Sequence, residues 1–493
     1  MAGGGPPRPG GMGLGGGGPA PPDPQTHAAA AAVAAALTVL LLPLAALVGR
    51  EVGEPYMDEP FHVPQARAFC AGRWGEWDGK ITTFPGLYLA AVPYGRALHA
   101  LGLAGADPCG LAALRSLNAA LAVLGYGAVY GALAELHPRA PRRGLALQAG
   151  ALALFPPHFF FAFLFYTDVG SLAATVGAYW LSLRGRPRAA GAAAAAAVLF
   201  RQTNAVWVAF VLCAAVYDLV RPEWRRGGGE GTGKGGEARG LVEDAAGVLR
   251  LAWAQKGRLA GRLWPLAAVV AGFTAFVAGN GGSIVVGDKA AHRPVPHLAQ
   301  VPYFALFAAA ALGPGPLLFR GRDLAARGRA AARRAGPART ALAVGAAAAA
   351  VAWAVRGFTF AHPYLLADNR HYTFYAWRRT LGGAHGPALR YLLVPAYLAS
   401  GAGLWALFTE GAPALLALAW ALAAAATLVP AHLVEVRYFT PGFVLLCLHV
   451  RPWRPAASAC LAAAYLAVNL ATLYVFLYRP FAWADGSTAR FMW

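Results

Sequence analysis

Charged side chains are scarce in this chain. Asp, Glu, Lys and Arg make up 13% of its 493 residues, whereas soluble domains carry roughly 25%. Apolar residues make up 58%, and they gather in runs long enough to cross about 30 Å of hydrocarbon as helices. The shortage of charge excludes an ordinary soluble enzyme and indicates a polytopic membrane protein.

Acidic residues are the scarcer charge type, with 22 Asp and Glu against 42 Lys and Arg. A net charge of +20 can indicate a protein that binds nucleic acid. Here, however, the basic residues stand in short clusters between apolar runs, and the bias of cytosolic loops toward Lys and Arg explains that arrangement. We therefore predict contact with membrane lipid and no binding of nucleic acid.

Cysteine is also rare, with five residues at positions 70, 109, 213, 447 and 460. They are scattered, and most lie in or beside apolar runs, so the sequence predicts neither a disulfide framework nor a Cys-x-x-Cys metal site. The cysteines do not indicate the redox compartment. No P-loop, dinucleotide fingerprint or His-Glu-x-x-His motif occurs at a credible position. We expect no cofactor and no metal.

The chain divides into a short tail and a long membrane domain. Residues 1–27 are rich in Gly and Pro, and we predict a disordered cytosolic tail there. Because only helices or closed barrels satisfy backbone groups in a bilayer, the apolar runs of 28–478 predict an all-α polytopic bundle of roughly 12–14 transmembrane helices. Within it, 221–262 is predicted to be a basic, Gly-rich cytosolic loop, and 479–493 a tail on the opposite side of the membrane.

The basic clusters predict the orientation of the bundle. We expect five of them to be cytosolic: Arg139/Arg142/Arg143, Arg184/Arg186/Arg188, the 221–262 segment, Arg320–Arg339 and Arg451/Arg454. The connections near 50–83, 287–300, 361–386 and 431–438 then face the other side. If each apolar run is counted as one crossing, the resulting orientation disagrees with the basic clusters at two places. One conflict disappears if 189–220 is broken near Arg201 into a hairpin or a re-entrant pair, whereas the placement of 136–143 stays unresolved.

Two adjacent carboxylates, Asp58 and Glu59, follow the first apolar run among aromatic residues. One interpretation is an exposed acidic turn in which Asp58 caps the next helix. The other is a general base close to a lipid-borne substrate. Composition alone does not choose between them.

A second polar group lies at 362–375, on the same predicted face. It places a carboxylate, an amide, a guanidinium and an imidazole side by side at Asp368, Asn369, Arg370 and His371, and Tyr372 follows. Arg offers a fixed fork of donors for phosphate, and aromatic rings stack on sugar faces. The alternative is an interfacial aromatic belt with snorkelling cations.

Three smaller polar groups accompany these two. Arg201 and Gln202 interrupt an apolar run, and an ionisable residue in such a run is a functional candidate unless it is a paired structural Arg. Asp288 lies on a predicted outer connection whose histidines, lacking cysteine partners, favour a solvated loop over a metal site. Arg437 follows Glu435 at the start of a late span, where a local ion pair and a substrate-binding role are both reasonable.

Several strings closely resemble one family of enzymes. They are Tyr56-Met57-Asp58-Glu59 with Phe61-His62 and Pro64-Gln65, Ile81-Thr82-Thr83 with Pro85-Gly86-Leu87-Tyr88, Arg201-Gln202-Thr203-Asn204, Gly287-Asp288, Tyr364 to Tyr375, and Arg490-Phe491-Met492-Trp493. The family is that of the dolichyl-phosphate-glucose α-1,2-glucosyltransferases of the endoplasmic reticulum. The resemblance covers nearly everything after the N-terminal tail.

The resemblance implies a GT-C-type glycosyltransferase with a lumenal active site in the endoplasmic reticulum membrane. Such an enzyme transfers the third, terminal glucose from dolichyl-phosphate-glucose to a diglucosylated lipid-linked oligosaccharide on dolichyl diphosphate, for protein N-glycosylation. Inversion of a β-linked donor to an α-1,2 linkage needs one base, for which Asp58 is the first candidate and Glu59 the second.

The remaining site residues follow from the same resemblance and from their residue types. For donor phosphate and sugar they are Arg370, His371, Asp368, Asn369, Tyr372, Arg201, Gln202 and Arg437. For the acceptor they are His62, Gln65, Trp77 and Asp288.

Three other functions stay open on the residues alone. A related lumenal mannosyltransferase or another dolichol-linked glucosyltransferase has the same general features, and the choice of glucose over mannose depends on the resemblance. A transporter also uses interrupted helices, but its ionisable groups should follow a path through the bundle. A non-catalytic scaffold would leave the loops free of acid, Arg and His clusters.

Overall fold

The computed structural model describes residues 25–103, 105, 107–226, 240–289, 293–483 and 485–493. Helices dominate this part of the chain. They are α1 (Gln25–Glu51), α2 (Glu59–Cys70), α3 (Gly86–Ala100), α4 (Leu111–Leu136), α5 (Arg142–Ala153), α6 (Pro156–Phe161), α7 (Thr167–Leu183), α8 (Pro187–Phe200), α9 (Asn204–Arg226), α10 (Leu241–Ala254), α11 (Lys256–Gly279), α12 (Gln300–Leu312), α13 (Leu318–Ala335), α14 (Pro337–Gly357), α15 (Pro363–Ala367), α16 (Tyr372–Ala376), α17 (Gly386–Leu392), α18 (Val394–Gly411), α19 (Ala414–Leu428), α20 (Thr440–His449) and α21 (Pro455–Tyr478).

Three tighter or wider helical turns and one small hairpin complete the described elements. The turns are π-helical at Gly313–Leu317 and Trp377–Leu381 and 3₁₀ at Val436–Phe439, and the strands are β1 (Phe481–Ala482) and β2 (Thr488–Ala489). β1 and β2 pair in antiparallel fashion.

Eight helices in the described part of the chain are long and apolar enough to cross a membrane. They are His27–Glu51, Leu111–Leu136, Asn204–Trp224, Lys256–Gly279, Gln300–Ala335, Pro337–Gly357, Gly386–Gly411 and Pro455–Tyr478. This confirms the all-α polytopic fold predicted from the sequence. Further apolar helices, such as Pro187–Phe200 and Ala414–Leu428, are shorter because their apolar runs are broken.

Local chemistry explains two of these breaks. The run 145–166 divides into α5 and α6 at Pro156-Pro157, where a proline ring cannot continue the preceding helix. The run 189–220 divides between Phe200 and Asn204, as the hairpin expectation required. Asn204 donates to the Ala197 carbonyl over 2.7 Å, so its side chain satisfies a carbonyl near the end of α8.

The bundle has two chemically different ends. At the first, called the site end, the starts of α2 and α7 meet Arg201 and Arg437. The second is called the basic end. There Glu410, near the end of α18, pairs with Arg320 through its side chain and accepts a hydrogen bond from Arg451 Nε through its backbone carbonyl over 2.9 Å. His137 also contacts the Leu448 carbonyl there, at 2.9 Å. The loop 136–143, which run counting placed on the wrong side, therefore lies with the other basic clusters.

The apolar run 84–104 contains α3, and this helix does not cross the bundle. A disulfide joins Cys70, the last residue of α2, to Cys109, just before α4. The start of α3 packs so closely on α8 that a Cβ on Gly86 would lie 2.5 Å from the Leu199 carbonyl carbon. Both ends of α3 therefore lie at the site end. Because α3 is not a crossing, the count of crossings now agrees with the positions of the basic clusters.

Three predicted segments contain elements that the structure describes. Helix α1 begins at Gln25, and the rest of the predicted tail lies outside the described residues. The segment predicted as a basic loop at 221–262 is largely helical where it is described, since α9 extends to Arg226 and α10 and the start of α11 follow. The predicted tail 479–493 folds back as the β1–β2 hairpin, and the Met492 N–H donates to the Arg370 carbonyl over 2.7 Å.

Candidate active site

Asp58 stands at the start of α2, in the first loop of the site end. Pro60 in the first turn sets the helix start, and Met57 directly before it has a φ of 59°, the one non-glycine residue in the left-handed region among those described. Such backbone conformations cost energy and persist where the surroundings enforce them. Asp58 occupies the N-cap position, yet its carboxylate makes no capping hydrogen bond. Its side chain is 42% exposed and lies 3.5 Å from Arg437 Nη1, so it is accessible to a substrate.

Glu59 points away from solvent and is fully buried. Its carboxylate accepts hydrogen bonds from Arg115 Nε at 2.9 Å and Nη2 at 2.6 Å, and from the backbone N–H groups of Tyr56 at 2.9 Å and Phe165 at 2.7 Å. Arg115 also donates to the Val52 carbonyl over 2.6 Å. This buried pair ties the first loop to α4 and to the segment before α7. It holds the turn that presents Asp58.

Replacing Glu59 by Gln is expected to destabilise the protein by about 3–5 kcal/mol, because removing one partner leaves a buried charge uncompensated. The measurement is thermal unfolding of the purified protein in detergent. Glu51→Gln is the matched control, since Glu51 pairs with an Arg50 side chain that is 72% exposed and exposed pairs contribute about 0–1 kcal/mol. Equal melting temperatures for the two variants would contradict the bracing role.

Asp168 joins the site from the first turn of α7. It pairs with Arg201 Nη1 at 2.6 Å and lies 3.8 Å from Arg437 Nη1. Arg437 also pairs with Glu435, so this one guanidinium is shared by three carboxylates. Asp168 is not among the site residues predicted from the sequence. Its local signal is its position shortly after the proline-broken, phenylalanine-rich segment 155–161.

Aromatic rings surround the shared guanidinium. Arg437 lies 5.6 Å from the Phe161 ring centroid and 5.7 Å from that of Tyr166, and Arg201 lies 5.1 Å from that of Tyr438. The Tyr166 hydroxyl accepts a hydrogen bond from the Asp58 N–H over 3.0 Å. These contacts fix the cations against Asp58 and Asp168 and limit access of water to them.

A second cluster forms around Asp368, Arg370 and His371. Arg370 Nε and Nη2 donate to the two Asp368 oxygens over 2.7 and 2.8 Å, and the guanidinium lies 4.1 Å from the Trp483 ring centroid. Burial raises the pKa of Asp368, but hydrogen bonds from His371 and Arg370 outweigh it and hold the pKa well below its usual value. Burial lowers the pKa of His371, but its bond to Asp368 and the charge of Glu435 outweigh that effect and raise it. His371 therefore keeps its positive charge to higher pH than an ordinary histidine and loses it as the pH rises further.

The C-terminal segment 481–493 orders this second cluster. His371 Nδ1 lies 2.9 Å from the Trp493 carbonyl oxygen, and Trp483 Nε1 donates to Asn369 Oδ1 over 3.0 Å. Tyr372 packs against the Trp493 ring at 4.3 Å. The Tyr56 hydroxyl donates to the Arg490 carbonyl and accepts from the Arg490 backbone N–H, each over 2.7 Å. The second cluster is thus connected to the residue two positions before Asp58.

The predicted acceptor residues lie along and beside α2. His62, one turn after Asp58, contacts the Tyr88 hydroxyl through Nδ1 at 2.6 Å, and burial lowers the pKa of its imidazole. Trp77 packs edge-on to Tyr88 at 5.9 Å and is 36% exposed. Gln65 donates to the Glu76 carbonyl over 2.7 Å and accepts from the Asp78 N–H over 2.8 Å. Gln65 therefore braces the loop that carries Trp77.

Two further predicted residues pack on the same loop. A Cβ on Gly287 would lie 2.4 Å from the Ile81 carbonyl oxygen, which places the neighbouring Asp288 beside residues 79–82. Gln202 Nε2 donates to the Thr82 carbonyl over 2.6 Å, so this amide, predicted to contact the donor, supports the first loop. Within the described ranges, no group of three or more His, Cys, Asp and Glu side chains is arranged to hold a metal ion.

The fold and the site together define a class of protein. It is an integral membrane protein in which Asp58 and Asp168 meet Arg201 and Arg437 at one end of a helical bundle. The sequence profile of the DIE2/ALG10 family matches residues 52–448, and the chain belongs to this family. The family resemblance inferred from the sequence is thereby confirmed.

Relatives match this chain over most of its length. A protein of Arabidopsis thaliana is 34% identical over 503 residues, covering 92% of this chain and 97% of the relative. A Rattus norvegicus protein is 33% identical, covering 91% and 95%, and a Drosophila melanogaster protein 33% identical, covering 89% and 93%. All three are named Dol-P-Glc:Glc(2)Man(9)GlcNAc(2)-PP-Dol alpha-1,2-glucosyltransferase. No solved structure gives a significant match.

Proposed function

We propose that this protein is an enzyme that transfers glucose in α-1,2 linkage from dolichyl-phosphate-glucose to the Glc(2)Man(9)GlcNAc(2) oligosaccharide on dolichyl diphosphate. The observation that carries the proposal is the accessible Asp58 carboxylate beside Arg437, at one end of a membrane-spanning bundle. The names of the relatives supply the substrates. A transporter is not favoured, because the relatives that cover most of this chain are named as glucosyltransferases.

We place the site end in the lumen of the endoplasmic reticulum. The opposite end carries Arg320, Arg451 and Arg454, and basic loops are retained in the cytosol. The disulfide between Cys70 and Cys109 lies at the site end, and disulfides form in oxidising compartments such as that lumen. Two independent features, one at each end, therefore support the same orientation.

The chemistry is a single displacement. The 2-hydroxyl oxygen of the terminal acceptor glucose attacks the anomeric carbon of the donor, the bond from that carbon to the phosphate oxygen breaks, and dolichyl phosphate leaves with the electron pair. A sugar hydroxyl is too weakly acidic to ionise first, so its proton passes to a base as the new bond forms. We assign that role to Asp58, because the Glu59 carboxylate is fully occupied by Arg115 and two backbone N–H groups.

The leaving phosphate requires positive charge on the side of the sugar opposite the base, because an inverting attack is in line. Arg370 and His371 meet this requirement best, since they connect to Tyr56 through the C-terminal segment and do not contact Asp58. Asp368 orients the Arg370 guanidinium through Nε and Nη2, and we assign this guanidinium to a phosphate oxygen. Asn369 and Tyr372 complete this donor side, whereas Arg437 and Arg201 hold the carboxylates on the base side.

The acceptor side follows from the aromatic contacts along α2. Trp77 connects to Asp58 through Tyr88 and His62, so its exposed face lies within reach of a sugar that precedes the reacting glucose. Aromatic rings bind sugars through their apolar faces. We propose that Trp77 and His62 bind the glucose end of the oligosaccharide, while Gln65 and Asp288 hold the loops that form this surface.

A reconstituted transfer assay tests the function. Purified protein is expected to add one hexose to a synthetic lipid-linked acceptor that ends in two glucoses, with dolichyl-phosphate-glucose as donor, and the product is identified by glycan mass spectrometry and α-1,2 linkage analysis. Dolichyl-phosphate-mannose serves as the competing donor. Transfer of mannose instead would indicate a related lumenal transferase, and absence of any transfer by well-folded protein would refute the proposal.

A further inference from the structure

A cleft of about 220 Å³ opens at the basic end of the bundle, far from the candidate active site. It lies between the start of α13 and the link from α20 to α21. Its lining residues are Pro316, Phe319, Arg320, Asp323, Arg451, Pro452, Trp453, Arg454 and Ala457. One water needs only roughly 10–15 Å³ of such space, so the cleft has room for a phosphate group and part of its ester substituent.

The lining of the cleft is predominantly cationic. Three arginines, Arg320, Arg451 and Arg454, face one carboxylate, Asp323. Arg320 is anchored by the buried Glu410, and Arg451 Nε donates to the Glu410 backbone carbonyl over 2.9 Å. The retention of basic loops in the cytosol explains why arginines occur at this end. It does not explain why they are held around a cavity.

Uncharged donors in the same cleft provide an independent indication of an anion. Trp453 is only 4% exposed, and its indole N–H is buried without a hydrogen-bond partner among the described residues. Buried donors are rarely left unpaired in native proteins. The Trp453 backbone N–H is fixed by Gln148 Oε1 at 3.1 Å, so the position of the ring is set by the fold.

The start of α21 adds a third kind of donor. This helix runs for 24 residues from Pro455, and Ala457 in its first turn lines the cleft. The first N–H groups of a helix have no acceptor within the helix and carry partial positive charge. Guanidinium forks, the Trp453 side chain and the first turn of a helix therefore line one cavity. This combination is typical of phosphate sites.

We propose that this cleft binds a phosphate monoester, carried either by the headgroup of an anionic lipid or by a soluble molecule. The site is separate from the transferase chemistry, and its existence does not depend on that activity. A lipid headgroup is accessible because the cleft lies at an end of the bundle, where headgroups meet the protein.

Titration calorimetry on the full-length protein in detergent tests the proposal. The probes are short-chain phosphatidylinositol 4-phosphate and inorganic phosphate, each titrated separately. Saturable binding of both would indicate that free phosphate suffices, whereas binding of the lipid alone would show that the headgroup or acyl chains are required. Saturable binding of neither probe would overturn the proposal.

Three variants separate a built site from general surface charge. Arg451→Gln with Arg454→Gln is expected to abolish saturable binding. Trp453→Phe keeps an aromatic side chain and removes the N–H together with the five-membered ring that carries it, and it should weaken binding about tenfold, as expected for a hydrogen bond to a charged group. Arg333→Gln with Arg334→Gln removes the same charge from exposed positions in the last turn of α13 and should leave binding unchanged. Equal loss in the two double variants, or full affinity in Trp453→Phe, would refute the site.

Discussion

Asp58→Asn is expected to reduce glucose transfer to below about 1% of the wild-type rate, because a general base contributes roughly 10²–10⁴-fold to such steps. Asn has nearly the same shape as Asp and cannot accept the proton. The Asp58 side chain is partly exposed and makes no capping hydrogen bond, so folding should not depend on its charge. The assay is transfer of one hexose by purified protein, with the melting temperature measured on the same sample.

The control for this variant is Glu54→Gln, which removes one negative charge from an exposed position in the same loop. It should retain transfer. A second comparison is Asp168→Asn, which leaves the base in place and changes its electrostatic surroundings. Full activity in Asp58→Asn, or equal loss in Glu54→Gln, would exclude Asp58 as the base.

The sequence predicted those features that depend on local chemistry. The run 189–220 is broken at Arg201 because four consecutive polar residues interrupt an apolar helix, and the structure confirms that break. The double proline at Pro156-Pro157 marked another helix boundary. Basic clusters predicted which helix ends lie together, and the contacts of Arg320 and Arg451 with the end of α18 agree with that grouping.

Features that depend on distant pairs were not accessible in the same way. The apolar run 84–104 is long enough to span, and only the bond from Cys70 to Cys109 shows that it returns to the site end. Asp168 and Arg437 are separated by more than half the chain and have no shared motif, yet they lie 3.8 Å apart. A sequence of this kind predicts which residues are polar in an apolar background. The packing of helices decides which of those residues meet.

Arg437→Gln is expected to lower transfer about 100-fold, the loss that a small misplacement of a catalytic group can cause. Removing this guanidinium leaves Asp58, Asp168 and Glu435 close together, with Arg201 paired to Asp168. Mutual repulsion then moves Asp58 away from the position in which it meets the acceptor hydroxyl. The assay is transfer of one hexose by purified protein, with the melting temperature measured on the same sample.

Two further variants distinguish this electrostatic effect from a simple loss of folded enzyme. Arg437→Lys keeps the charge but not the fork, and it should recover part of the rate. Arg479→Gln removes the same charge from an exposed position at the end of α21 and should leave the rate unchanged. A normal rate in Arg437→Gln would mean that Arg437 does not hold the carboxylates of the base side in place.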